Sequence, residues 1–554
     1  MRRALWGGIT VGLLSVAVLL GCEGDPNDPA TWIKKLEEGA LREKSVEELT
    51  RIYTDALNAA HGNNDDPKVK AIRDVVAPAL VDAFKKFRDD VGSRDKILDA
   101  LAAMHDARAE EIFIAALDFV PDLSEPQAVK GAEGLGVLRS QRGVDPLLAC
   151  LAKITSNRPI DNQMKRAIVG AFGKIGDPRS VPALVRLVDT SPDEQDFFIN
   201  KLATVALGEI GDPQAVPALI RALFMSGRGA VIFQQARYAL VQIGPPAVEP
   251  LIRAMRGQDQ ELNRLAQTLE FEPGVMQWKT ARALGDIGDP RAFEPLLEQL
   301  QNPTMVISGV IREPPAGSPP PDSSVVQGFA AMALAQIALT AEQQTRAAEA
   351  ITPKLKDESA FGAWVSFLAA LASIGGADRL ATIKEVFSRE MLPDPGIRVA
   401  GAMWWSRMAT SDDTATFDRV VHEEDDQGLI DGLNVHRARF VAAGRCSDIQ
   451  CWIGKLDDPD PIVGDKAAYM LAYMGAGNAA VRDVLIAHLN ARNTDVRSAV
   501  VFALDELSPQ GCRPCVERIR TIAAEEEGRQ SYNNVNTEAL CTAARLAHRE
   551  AGHH

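Results

Sequence analysis

Apolar residues recur three and four positions apart along much of the chain, as in Ala203-Thr204-Val205-Ala206-Leu207-Gly208-Glu209-Ile210 and Ala281-Arg282-Ala283-Leu284-Gly285-Asp286-Ile287. That spacing gathers them into one stripe and predicts α-helices with a single face to bury. A second apolar stretch of similar spacing follows each of these after a short break, for example over 216–223. The elementary unit is therefore a pair of helices. One pair cannot cover its own apolar face, but stacked pairs cover one another.

The breaks within this pattern are nearly identical. Ile175-Gly176-Asp177-Pro178-Arg179-Ser180-Val181-Pro182-Ala183-Leu184 returns as Ile210-Gly211-Asp212-Pro213-Gln214-Ala215-Val216-Pro217-Ala218-Leu219. It returns again as Ile243-Gly244-Pro245-Pro246-Ala247-Val248-Glu249-Pro250-Leu251 and as Ile287-Gly288-Asp289-Pro290-Arg291-Ala292-Phe293-Glu294-Pro295-Leu296. The glycine suits the left-handed conformation that ends a helix. The aspartate can accept bonds from the free N–H groups of the next helix. The proline fits a first helical position, where its missing N–H is not needed.

This alanine-rich helix, Ile-Gly-Asp-Pro turn and Val-Pro-Ala-Leu start resemble HEAT-like repeats of the phycobilisome-lyase type. The likeness is strongest over 160–300. Weaker copies of the alanine-rich helix are visible at Gln327–Ile337, Trp364–Gly375, Ile397–Met408, Val463–Met474 and Val496–Leu507, and upstream at Ile97–Met104 and Val129–Leu138. The resemblance implies an all-α fold, an α-solenoid (armadillo-like superhelix) of about a dozen helix pairs occupying 32–554. With helix layers 8–10 Å apart, an array of that size would be on the order of 100 Å long.

The largest departures fall at the other turn of each pair, the one opposite Gly-Asp-Pro. They are Thr190 to Phe197, Gln258 to Gly274 and the proline-rich Asn302 to Ser324. Sharing one edge, they should project side by side, where loops on a scaffold often carry recognition. Tolerated loop drift is the competing explanation. A second candidate surface is the concave side. The position two before the leucine of each alanine-rich helix is occupied by Val205, Tyr238, Arg282, Met332, Ala369, Met403, Tyr469 and Phe502. Such an apolar rib would suit an amphipathic helix or extended peptide laid along a groove. Alternatively, packing between neighbouring inner helices buries it.

Composition narrows the class. Hydrophobic residues make up 46% but aromatics only 5%, a mixture that suits close-packed helices more than a sheet sandwich. The net charge of −15 would repel phosphate backbones, so nucleic acid is not an expected partner.

Met1-Arg2-Arg3, an apolar run from Ala4 to Leu20 and Leu19-Leu20-Gly21-Cys22 have the order of a secretory signal. The end resembles the bacterial lipobox. That resemblance implies a signal peptide over 1–21, lipid attached to Cys22 and a tether over 22–31. With Glu23 in place of an aspartate, it also implies the outer membrane, facing the periplasm or the cell surface.

An exported chain meets an oxidising compartment, so disulfides are expected among the remaining cysteines. Cys446 and Cys451 could close a turn that lacks Gly-Asp-Pro. Cys512 and Cys515 have Cys-x-x-Cys spacing, and either could pair with the other or with Cys541 in the cysteine-containing repeats over 435–554. Cys150 is a candidate buried thiol. A redox pair at Cys512/Cys515, and a zinc set of Cys512, Cys515, Cys541 and His548, are competing readings. Enzymes on related folds offer little: the iron-binding His-Glu pairs of deoxyhypusine hydroxylase are represented only by His422-Glu423. No Gly-x-Ser-x-Gly, phosphate loop or His-Glu-x-x-His is present. The chain thus reads as a non-catalytic, lipid-anchored scaffold with no cofactor and a protein or peptide partner. A thiol–disulfide accessory protein is the alternative.

Overall fold

A computed structural model describes residues 25–118, 126–227, 229–304, 322–375, 377–388, 395–527 and 534–552. The signal segment, Cys22 and most of the 302–324 insertion lie outside these residues. Chain contacts divide the protein into two compact units, Met1–Ala171 and Phe172–His554.

The first unit is a stack of antiparallel helices. Gly39–Ala59 and Pro67–Lys86 are its longest, followed by Val91–Met104, Glu110–Ala116, Pro126–Val137 and Val144–Lys153. Asp66 starts the second of these by accepting from the N–H groups of Lys68 and Val69, with Pro67 at the first position. Leu49, Val76, Leu80, Ile97, Leu101 and Phe113 form its buried interior. Gly134 faces the Phe113 ring so closely that a Cβ would overlap it.

In the second unit, Gly176, Gly211 and Gly288 take φ of 73°, 73° and 72°, the left-handed conformation anticipated for the repeated turn. Asp177, Asp212 and Asp289 each accept from the N–H two residues on. The proline opens one 3-10 turn, after which the α-helix begins at Val181, Val216 or Phe293. Gly244, followed by proline instead of aspartate, turns without a side-chain cap.

Consecutive inner helices stack in one row: Phe197–Ile210, Phe233–Ile243, Val275–Ile287, Ser324–Gln336, Trp364–Ile374, Pro395–Met408, Pro461–Met474, Thr494–Glu506 and Asn534–Glu550. Small residues set their spacing. A Cβ on Gly208 would sit 2.7 Å from Ala239 Cα, and one on Gly285 would sit 2.6 Å from Ala333 Cα. At the opposite ends, buried amides clamp neighbouring helices. Asn200 Nδ2 donates to the carbonyls of Leu187, Val188 and Thr190, Gln277 to Met255 and Gln327 to Leu300. These bonds satisfy carbonyls that the preceding helix leaves free at its C-terminus.

The second unit does not remain an open row. Its last helix, Asn534–Glu550, packs on its sequence neighbours and also against Phe233–Ile243 and Val275–Ile287. The Tyr473 hydroxyl likewise crosses from a late inner helix to an earlier one, donating to Ala372 O at 2.9 Å. The stacked repeats of this unit therefore bring its last helix onto the inner face of earlier ones.

Candidate interaction faces

The concave rib is brought together, but against the chain itself. None of Val205, Tyr238, Arg282, Met332, Met403, Tyr469 and Phe502 is exposed; six are half-buried and Tyr469 is buried, as is the eighth position, Ala369. Tyr469 stacks on Phe502 with centroids 4.7 Å apart and meets the Trp404 ring at 6.0 Å. Burial pushes the Tyr238 hydroxyl up to about 12. Packing between neighbouring inner helices, the alternative considered above, accounts for Tyr469 and Phe502.

Arg282, the rib's single charge, explains part of the closure. Its Nη2 lies 2.5 Å from Glu538 Oε2 on the last helix, and Arg237 Nη2 donates to Glu538 Oε1 at 2.8 Å. Asp286 lies beneath them, 3.2 Å from Arg237 Nε and 3.4 Å from Arg282 Nε. Burial pushes the Asp286 carboxyl up, against the pull of both guanidinium groups. Farther along, Arg545 donates to Asp286 O at 2.8 Å and to Asp505 Oδ2 at 2.6 Å, while Arg549 donates to Asp505 Oδ1 at 2.9 Å. Burial alone would raise the Asp505 carboxyl, but Arg545 and Arg549 hold it below its usual value. His548 Nε2 lies 2.9 Å from Val241 O. Such a buried network fixes which helices meet more than it adds stability, yet removing one member strands the others at about 3–5 kcal/mol. Sequence reasoning missed it because the partners lie 256–307 residues apart. The available signal was Arg545, His548 and Arg549 sharing one face of a terminal helix.

A second buried network joins later repeats. Asp465 binds Arg407 at 2.9 Å and Arg439 at 2.6 Å. Lys466 Nζ donates to Ser406 O and Ala409 O, both at 2.8 Å, at the C-terminal end of Pro395–Met408. Burial pulls the Lys466 ammonium down to about 7 and, with Arg439, the His436 imidazole down to about 4.

The insertion edge is different. Arg221 binds Asp189 at 2.8 Å and Glu261 at 3.1 Å, joining three successive repeats. Phe224 stacks on Phe271 at 5.1 Å. The Gln258–Gly274 insertion is itself partly helical over Gln260–Thr268, with Asp259 as its cap. A two-stranded hairpin, Ser226–Gly227 with Ala230–Val231, adds an unforeseen fourth projection, and its Gly227 lies against Pro192 and Phe197. Large apolar side chains stay in water here: Phe198 (43% exposed), Val231 (63%), Leu269 (54%), Val325 (48%) and Val365 (44%). Phe198, Val325 and Val365 are each the second residue of an inner helix.

Disulfides join Cys446 to Cys451 and Cys512 to Cys515. The first closes the joint between Arg437–Ala443 and Ile449–Lys455. Cys541, named above as a possible bridging residue, instead carries a buried free thiol beside the Arg237–Asp286–Glu538 cluster, and burial raises its pKa. Cys150 is also a buried free thiol, pushed up to about 11. The four candidate zinc ligands are not assembled as such: two are joined in a disulfide and His548 lies on a carbonyl. Among the described residues, no helix is long and apolar enough to cross a membrane.

Three segments, 164–190, 202–224 and 276–302, match the PBS lyase HEAT-like repeat model. A search of curated proteins gives no match. Among solved structures, an engineered protein is 16% identical, covering 86% of this chain and 98% of its own, with a TM-score of 0.23. A structure concerning the interaction between cadherin and beta-catenin is 13% identical, covering 94% and 99%, with a TM-score of 0.31. The karyopherin Kap121p bound to the SUMO protease Ulp1p is 11% identical, covering 95% and 73%, with a TM-score of 0.29.

Proposed function

Starting from a chain that carries HEAT-like repeats of the PBS-lyase type, we propose that it is a non-catalytic scaffold that binds a protein partner along its insertion edge. Lipid on Cys22 would tether it to a bacterial envelope membrane. Repeat arrays commonly offer extended surfaces to partners. In the second unit, the inner face of Phe233–Ile243 and Val275–Ile287 is occupied by the last helix. The observation that carries the reading is the run of exposed apolar side chains at one edge, Phe198, Val231, Leu269, Val325 and Val365. Apolar side chains repeated along one rim mark an interaction surface.

The tether rests on the order Arg2-Arg3, apolar run, Leu19-Leu20-Gly21-Cys22. The outer membrane is proposed from Glu23. The thiol-redox alternative has less support, since Cys512 and Cys515 are both buried and reactive pairs need access.

Two measurements test this. Labelled palmitate should enter the chain and be lost in Cys22→Ala; equal labelling of both would remove the anchor. In crosslinking from intact envelopes, the chain and a Phe198→Ser/Val231→Ser/Leu269→Ser variant should differ in at least one specific partner. An identical set of crosslinks with a native-like melting curve would remove the edge.

A further inference from the structure

The inner helices Ser324–Gln336, Trp364–Ile374 and Thr494–Glu506 all end around one cleft of about 450 Å³, and Arg549 near the end of Asn534–Glu550 also lines it. We propose that this cleft binds an organic cation, an alkylammonium or guanidinium group, with Glu506 as its counter-ion. The site lies at the turn edge and is independent of the partner surface proposed above.

Several features converge there. Each helix C-terminus carries roughly half a negative charge on its last carbonyls, although Tyr473 already donates to Ala372 O and Arg549 to Asp505 O. Three of them meeting in one cleft create a field that favours a cation. The local charges are then matched one by one. Arg549 is already committed to Asp505, to Asp505 O at 3.2 Å and to Ser508 O at 3.4 Å. Arg545 is likewise held by Asp505. Glu506 is left with no ion-pair or hydrogen-bond partner among the described residues, and its side chain is open to the cleft. Ile337, Ala338, Leu339, Ile374 and Pro509 supply apolar wall. That wall suits the methylene stem of a lysine-like cation, whose charged tip would reach the carboxylate. A hard metal ion fits poorly. Calcium needs about six to eight oxygen ligands, and no group of three or more His, Cys, Asp and Glu is placed to hold a metal among the described residues.

The charge of Glu506 depends on conditions. Its side chain is exposed, but the surrounding protein and then Asp505 raise its carboxyl above the usual value, while Arg549 and Arg545 oppose them. Tyr469 and Tyr473 also face it and stay neutral, their hydroxyls raised by burial. A cation should therefore bind more tightly as pH rises and Glu506 ionises.

The test is calorimetric titration of the full chain with three probes: acetyl-Ala-Lys-Ala-amide, its norleucine analogue and cadaverine. The lysine peptide or cadaverine should bind saturably and the norleucine peptide should not. Glu506→Gln should weaken binding at least about tenfold, whereas Glu272→Gln at the far edge should leave it unchanged. Binding at about pH 8 should exceed that at about pH 6. Leu339→Lys, which tethers an ammonium inside the cleft, should block the site without removing Glu506. Preference for the peptide assigns the cation to a partner's side chain, and preference for cadaverine to a free amine. Failure of both cations to saturate, or equal affinity in Glu506→Gln, overturns the proposal.

Discussion

At one edge of the regular repeats the chain turns through Gly-Asp-Pro, with φ near 73° at Gly176, Gly211 and Gly288. At the other edge no two turns match: a short loop over 190–197, a hairpin at Ser226–Val231 and a helix at Gln260–Thr268. The same helices supply both edges. The turn edge is constrained because its residues answer to backbone geometry, to capping and to the next helix 2.6–2.7 Å from an added Cβ. The insertion edge is held by buried amides at the base of three insertions, 190–197, 258–274 and 302–324, which leaves loop tips free to vary and to expose apolar side chains. Backbone geometry restricts the turn edge, and recognition is proposed at the loop tips of the other.

Substitutions at the two edges should separate these roles. The largest effect is expected for Gly285→Leu, which drives a side chain into the Ala333 backbone; a loss of about 3 kcal/mol should appear in urea unfolding. Unchanged stability would mean that the inner helices are not in close contact. Asn200→Leu leaves three carbonyls without their donor and should cost about 2 kcal/mol by the same measurement. Asp289→Ala removes one turn cap and its bond to Arg291, for about 1 kcal/mol. Leu269→Ser should change stability by less than about 0.5 kcal/mol while lowering partner crosslinking. A stability loss as large as that of Asn200→Leu would place Leu269 in the core instead of on a binding edge.

The repeat was legible because local chemistry specifies it. Gly176, Asp177 and Pro178 each do a job within four residues, and the structure places each as that chemistry requires. The cysteine pair at Cys446 and Cys451 was legible for the same reason, being a short joint that lacked Gly-Asp-Pro. The closure of the inner face was not. Glu538 meets Arg237 and Arg282 only after several repeats have accumulated their curvature, and no local pattern reports that sum. The rib positions were placed on the inner side, but their partners belong to the far end of the chain. Glu506 was hidden similarly: nothing in Leu504-Asp505-Glu506-Leu507 indicates that two other helices end beside it.

The last helix of the second unit occupies the inner face of its earlier repeats, which leaves the insertion edge for partners. Amide hydrogen exchange on the full chain tests this directly. Residues 541–546 should be protected to a degree comparable with 281–286, and Glu538→Arg should lower protection in both segments together. Rapid exchange over 541–546 in the unmodified chain, with 281–286 still protected, would show an inner face that stands open and would return the binding surface to the concave side.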